Sequence, residues 1–234
     1  MGAANTHYFN MGSIEYTVEY KKVKTLRLTV YPPDGRLKIT VPFGTAPEFI
    51  KQFVASKIQW IEKHRKKFIG RSKISGPLRN NSAVYVWGKA YRLELIERRG
   101  HPKIIIEDAS MKMYIRPLSP KSKMQELLDA WYRRIIKEAA PVIIKKWEEI
   151  IGVEVKKLFV RKMKSHWGSC NHIKKTLRLN TELVKRDPMC LEYVIVHEML
   201  HIIEKGHNRN YYRLLNRHFP EWKTIRKKMN SGEI

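Results

Sequence analysis

The stretch richest in chemistry is Val196-His197-Glu198-Met199-Leu200-His201, with His207 following six residues later. Two histidines at i and i+4 lie about 40° apart around a helix and one turn along it, so both imidazoles reach one metal ion. The glutamate between them projects beside that ion, where it can take a proton from a bound water. Zn²⁺ lowers the pKa of such a water to about 7, and three protein ligands leave the fourth position open for it. The pattern therefore predicts a Zn²⁺ hydrolase site with His197 and His201 as ligands and Glu198 as general base. The plainer alternative is two helix histidines satisfied by hydrogen bonds. Leu191, Val194, Ile195, Val196, Met199, Leu200, Ile202 and Ile203 make the helix apolar almost all round, which predicts burial. Two imidazoles and a carboxylate in such a place are costly without a cation.

A third ligand has two candidates, Glu204 and His207. Glu204 follows His197 by seven residues, roughly 10 Å along a continuing helix, while ligands sit about 2 Å from zinc. Gly206, in a left-handed helix-ending conformation, would reverse the chain and swing His207 back. His207 is the expected ligand, and Glu204 a solvated carboxylate or one that orients a histidine.

The elements that must position this site follow from periodicity. Residues 1–13 are small and polar and are expected to be a flexible N-terminus. Strands are expected at Ile14 to Tyr20, Leu26 to Val30 and Leu37 to Val41, the last two a half-buried hairpin around Pro32-Pro33-Asp34-Gly35. Thr45 with Glu48 reads as a capping box opening a helix to about Phe68, through Ile50, Phe53, Val54, Ile58 and Ile61. After a polar connection from Gly70 to Asn81, short strands are expected at 84–87, 91–96, 103–106 and 111–115. From Ser119 the pattern turns helical, and Pro141 either kinks a long helix or starts a new one ending near Gly152. A strand over 153–163, a tight turn at Trp167 to Asn171 and a strand at 176–180 precede the metal helix, which Asp187 caps and Pro188 opens. Asn208 caps the next helix and Pro220 opens the last. The expected fold class is α+β: a β-rich region over 14–117 with one covering helix, then a zincin-like helical region over 118–234 with a short antiparallel sheet.

Length and charge bound the rest. At 234 residues and 43% hydrophobic content the chain can bury a core, and no apolar run approaches the ~20 residues of a membrane span. No signal peptide is recognisable, Cys170 and Cys190 make no disulfide framework, and a cytoplasmic location is expected. Forty-seven basic against 22 acidic residues give a net charge of +25, which attracts polyanions such as nucleic acid or a phosphorylated substrate. The basic residues are spread along the chain without a nucleic-acid-binding motif, so a solvated basic surface remains the alternative. Nothing in the sequence fixes the oligomeric state.

Several segments in order resemble the YgjP-like metallopeptidases, relatives of the SprT-like zinc proteases. Arg161, Lys164 and Trp167-Gly168-Ser169-Cys170 match one block, Leu177-Arg178-Leu179-Asn180 the strand after it, Tyr193 to Glu198 the approach to the metal motif, and Phe219-Pro220-Glu221-Trp222 the closing segment. The resemblance implies Zn²⁺ held by His197, His201 and His207, with Glu198 as base. Where the family tends to carry Ser and then Phe-Trp after the third histidine, this chain has Asn208 and then Tyr211-Tyr212, which changes the cleft lining. The Trp-Gly-Ser-Cys segment reads as a turn with Trp167 on the core and Cys170 a small buried hydrophobe. A second reading makes the following strand an edge that pairs with an extended peptide. A third, with Cys170 and His172 as extra ligands, has too few partners. Arg161 and Lys164 are candidates to stabilise an oxyanion, and Tyr211, Tyr212 and His218 are further candidate contacts.

Three functions follow. The leading one is a zinc metallopeptidase acting on a peptide or protein substrate. The second is a metal-dependent nucleotide pyrophosphohydrolase, disfavoured because Mg²⁺ sites use carboxylates that this motif lacks. The third is a nucleic-acid-associated protease acting near DNA, marked by steep salt dependence.

Overall fold

A computed structural model of the chain describes residues 6–11, 14–31, 36–62 and 78–231. The expected turn at 32–35, the helix beyond residue 62 and most of the 70–81 connection lie outside the described residues. The fold is mixed α+β, in two compact units, Met1–Lys73 and Ile74–Ile234.

In the first unit β1 (Thr6–Met11), β2 (Ile14–Lys21), β3 (Arg27–Tyr31) and β4 (Arg36–Pro42) form one sheet in the order β1-β2-β4-β3. Strict alternation puts Ile14, Tyr16, Val18, Leu37, Ile39 and Val41 on one face, where they bury against Ile50 and Val54 of α1 (Pro47–Ser56). Two expectations are corrected. Residues 6–11 of the supposedly flexible N-terminus are a strand, held by antiparallel pairing to β2 and by Phe9 stacking on Tyr16 at 5.7 Å. Helix α1 starts one residue later than a Thr45 cap would place it. Its N-cap is Ala46 and Pro47 takes the first turn, while the Thr45 hydroxyl donates to the Pro42 carbonyl at 2.8 Å.

The second unit begins with the sheet β5 (Ala83–Val86), β6 (Lys89–Glu97), β7 (Lys103–Glu107) and β8 (Ser110–Ile115), ordered β5-β6-β8-β7. Trp87 and Gly88 both take positive φ, 51° and 79°, as a two-residue hairpin turn requires. Helix α2 (Lys121–Ile151) runs unbroken through Pro141 and stops at Gly152, whose φ of 77° lets its N–H return to the Glu148 carbonyl at 2.9 Å. The hairpin tip docks on the segment before the metal motif: Trp87 N–H donates to the Val184 carbonyl at 2.6 Å, and Tyr132 Oη donates to the Tyr85 carbonyl at 3.1 Å. One core runs from Val84, Leu93 and Met113 through Ile136 to Leu177, Ile195 and Leu200. The change from strands to helices expected to mark a boundary at 117/118 therefore separates layers within a unit, and the division falls at 73/74.

A three-stranded sheet follows, β9 (Lys157–Arg161), β10 (Gly168–Asn171) and β11 (Thr176–Asn180), ordered β10-β11-β9. It is mixed, β10 antiparallel and β9 parallel to β11. The expected turn at 167–171 gives way to a strand from Gly168, and the sheet's edges are β10 and β9, with β11 central. Helices α3 (Pro188–Leu200), α4 (Arg209–His218) and α5 (Trp222–Ser231) complete the unit. Asp187 caps α3 by accepting from Met189 N–H at 2.8 Å, and Asn208 caps α4 by accepting from Tyr211 N–H at 2.9 Å, as their positions predict. Among the described residues no helix is long and apolar enough to cross a membrane.

Because each unit has its own core, residues 74–234 expressed without the first 73 should unfold in one cooperative thermal transition and keep their metal affinity. Circular dichroism and metal titration of that fragment check this.

Candidate metal centre

Helix α3 is apolar on nearly every side because it is packed on nearly every side, against α2, β10 and β11, with Leu191, Val194, Ile195, Val196, Met199 and Leu200 buried. A polar tie joins it to α2: Lys146 Nζ and Trp147 Nε1 both donate to Glu192 Oε1 at 2.8 Å. The helix ends at Leu200, and the N–H groups of Ile202, Ile203 and Glu204 return to the Met199 and Leu200 carbonyls, tightening the chain into a turn. This turn, rather than Gly206, reverses the chain. Gly206 has no positive φ, and a Cβ there would meet nothing within 4 Å. The Glu204 carboxylate spans the loop, accepting from Asn210 Nδ2 at 3.0 Å, and that bond holds it below the usual carboxylate range.

The reversal brings the three histidines together. Their nearest ring nitrogens lie within 4.8 Å of one another, and His207 Nε2 is 3.1 Å from His197 Nε2. Neighbouring ligands of a tetrahedral ion with bonds of about 2.0–2.1 Å are separated by about 3.3 Å, so this spacing suits a shared cation. The opposite ring faces carry the tautomers. His201 Nδ1 lies 3.0 Å from the Glu204 carbonyl, which can only accept, so Nδ1 is protonated and Nε2 is left with its lone pair. His197 Nδ1 lies 2.6 Å from Tyr211 Oη, whose own proton goes to the His197 carbonyl at 3.1 Å, so the ring again donates through Nδ1. Burial pushes the His197 imidazole down to about 3, with His201 and His207 adding to the shift, and desolvation lowers His207 as well. Neutral rings with free Nε2 atoms are what a divalent cation takes as ligands. The donor set fits zinc.

Glu198 is 7% exposed, and burial pushes its carboxyl up to about 8; a cation beside it favours the carboxylate instead. The edge strand lies directly against it. A Cβ on Gly168 would sit 2.8 Å from Glu198 Cγ and Oε1 and from Val194 Cγ1, so only glycine lets β10 approach the carboxylate this closely. A cavity of about 280 Å³ opens beside the histidines. One wall is Ser165, His166 and Trp167; the other is Arg226, Met229 and Asn230 of α5. Asn180 holds the first wall in place, donating to the Met163 and His166 carbonyls at 2.9 and 2.8 Å and accepting from Met163 N–H at 3.2 Å.

Not every candidate contact reaches this cleft. Arg161 ends β9 and Lys164 lies in the loop beyond it; both are exposed and neither lines the cavity. Tyr211 is fully buried and holds His197, and Tyr212 stacks on Trp222 at 5.4 Å and does not line the cavity. His218, half-buried at the end of α4, is also outside it. Cys170 is half-buried with its thiol raised to about 11 by burial, an unreactive small side chain and not a ligand with His172. Gly168, His166 and Arg226 were not singled out for the cleft from the sequence. Gly168 falls within the expected turn at 167–171 and His166 lies just before it, and nothing along the chain connects residue 226 to residue 197.

Two substitutions separate these roles. Tyr211→Phe should weaken zinc binding by about 10–100-fold in chelator competition, because it removes the partner of His197 Nδ1. Gly168→Ala should cost about 1–3 kcal/mol in urea unfolding by pushing β10 off Glu198, with the metal stoichiometry unchanged.

Over residues 24–232 the sequence matches the model of the YgjP-like metallopeptidase domain. A search of curated proteins finds no match. Among solved structures, the metallopeptidase zymogen of Methanocaldococcus jannaschii jannalysin is 27% identical with a TM-score of 0.35, over 38% of this chain and 91% of that one. The metallopeptidase zymogen of Pyrococcus abyssi abylysin is 18% identical with a TM-score of 0.36, over 38% and 90%. The match to the family model takes in nearly the whole chain, the three histidines and the buried glutamate included, and this chain belongs to the YgjP-like metallopeptidase family.

Proposed function

We propose that the chain is a zinc-dependent peptidase that uses Glu198 as its general base. The observation that carries the reading is that Glu198 lines the same cavity as His197 and His207, two of three histidines with convergent ring nitrogens, and packs against an edge strand. His197, His201 and His207 would hold the zinc, which when bound polarises a carbonyl and acidifies water. An extended substrate backbone pairs with the outer edge of β10, which sets the scissile bond over the histidines. Glu198 takes the proton from the attacking water and hands it to the leaving nitrogen, a transfer favoured by its shielding from bulk solvent. Asn180 and the 163–167 loop fix the far wall of the cleft. Glu198 is the one carboxylate among the described residues lining it, which leaves no acidic set for the Mg²⁺ of a nucleotide hydrolase.

Two free cysteines suit a reducing, cytoplasmic setting. A polyanion partner is a separate, compatible reading: Arg209, Arg213 and Arg217 recur at four-residue spacing on the exposed side of α4, which carries no acidic residue. Binding to duplex DNA through this face would weaken steeply as salt rises from 50 to 200 mM.

Glu198→Gln should keep about one zinc per chain while peptide hydrolysis falls by at least about 100-fold, as the loss of a positioned base predicts. Metal analysis and a peptide cleavage assay, run beside the wild type, check this, and loss of zinc together with activity would overturn the assignment of Glu198 as base rather than ligand.

A further inference from the structure

The cleft wall formed by α5 holds a cation that the peptidase mechanism does not use. Arg226 lines the cavity beside Tyr193, His197 and His207. Its helix is firmly seated: Trp222, Ile225 and Met229 are buried, Trp222 Nε1 donates to Asn216 Oδ1 at 2.7 Å, and the Trp222 ring stacks on Tyr212. The guanidinium rests 5.8 Å from the Trp222 ring centroid, and among the described residues no carboxylate pairs with it. In an arginine-rich chain an unpaired surface guanidinium is ordinary. One that faces a metal-ligand cluster across a small cavity is not, because its charge adds to that of the cation the histidines would hold.

The cavity is small. At about 280 Å³ it lies just under the roughly 300–1,000 Å³ of sites for drug-sized ligands, which suits the one or two substrate residues next to the scissile bond. Its only carboxylate among the described lining residues is Glu198, seated behind Gly168 against the histidines. The opposite wall offers Ser165 and His166, whose side chains bond one another at 2.7 Å, and Asn230 adds a neutral polar group. A substrate anion therefore meets attraction from Arg226 and no lining acid besides Glu198, and the planar fork of the guanidinium can bind a carboxylate through two parallel bonds.

We propose that Arg226 is a specificity residue, and that the cleft selects peptides carrying a carboxylate within one residue of the scissile bond. This rests on the peptidase reading for its physiological meaning. The carboxylate has two sources, an acidic side chain or the free C-terminus of a short peptide, and both present the same group to the guanidinium.

The test uses the full-length zinc-loaded protein and metal-chelating probes, one hydroxamate pair and one phosphonate pair, whose binding does not depend on turnover. N-acetyl-aspartyl hydroxamate is compared with N-acetyl-asparaginyl hydroxamate for the side-chain source, and a dipeptide phosphonate with a free C-terminus is compared with its amide for the other. Calorimetric titration should give a preference of about tenfold or more for the carboxylate member of at least one pair, and that pair names the source. Arg226→Gln should collapse the preference to within about twofold, and Arg226→Lys should restore part of it, since charge survives without the fork. Equal affinities within both pairs, or a preference that persists in Arg226→Gln, would overturn the proposal. A protein that shows the preference but cleaves no peptide would sink the peptidase reading and leave the carboxylate site standing.

Discussion

A half-buried imidazole that must stay neutral and correctly turned is the constraint on which the metal-binding unit depends. His197 sits in a helix most of whose residues are buried, where protonation is costly and rotation would strand a polar N–H. Tyr211 resolves both demands, accepting from Nδ1 and returning its own proton to the carbonyl of the same residue. That closed pair fixes α4 against α3, so the helix that follows the loop is positioned by the first ligand rather than by the third. His201 is treated likewise, through the Glu204 carbonyl. The side chain of Glu204, which sequence spacing offered as a ligand, ties down the loop that delivers His207. The outer contact of His197 is thus also a contact between helices, and that of His201 secures the turn after α3.

The same economy appears on the other side of the cleft. Glu198 and β10 are packed so closely that the strand needs a glycine at 168, and the loop before it is held by a single buried asparagine. The β5–β6 hairpin, distant in sequence, supports the segment that leads into α3 through the Trp87 N–H, while its Tyr85 carbonyl is held by Tyr132 of α2. An N-terminal sheet that composition alone would set apart is therefore a foundation of the site. Only the first 73 residues form a separate unit.

Legibility in the sequence followed the range of the interactions concerned. The paired histidines, the caps at Asp187 and Asn208 and the alternation of β2 and β4 are local patterns, and each appears where spacing put it. The strand at 168–171 was hidden because Gly, Ser, Cys and Asn carry little strand propensity; it forms because β11 offers a partner and Glu198 excludes a larger side chain. Thr45 has the right neighbour for a capping box, but Pro47 sets the start of the helix. Gly206 looked like the pivot of the chain reversal, yet backbone bonds to Leu200 make the turn without it. Arg226 reaches the cleft only because Trp222 and Met229 seat its helix, a contact between elements that no spacing rule encodes.

The histidine cluster spans a joint in the chain: two of its histidines lie at the end of one helix, and the third precedes the next. An ion held by all three closes a short loop that is otherwise secured by a few hydrogen bonds. By mass action, a cation present at a thousand times its dissociation constant adds about 4.1 kcal/mol to the folded state, a large share of the ~5–15 kcal/mol that holds a domain together. Supply of that ion would thus set the lifetime of the protein as well as its activity. Chains made during metal scarcity would be the ones most open to degradation, so that the pool of intact enzyme records the metal available when it was synthesised.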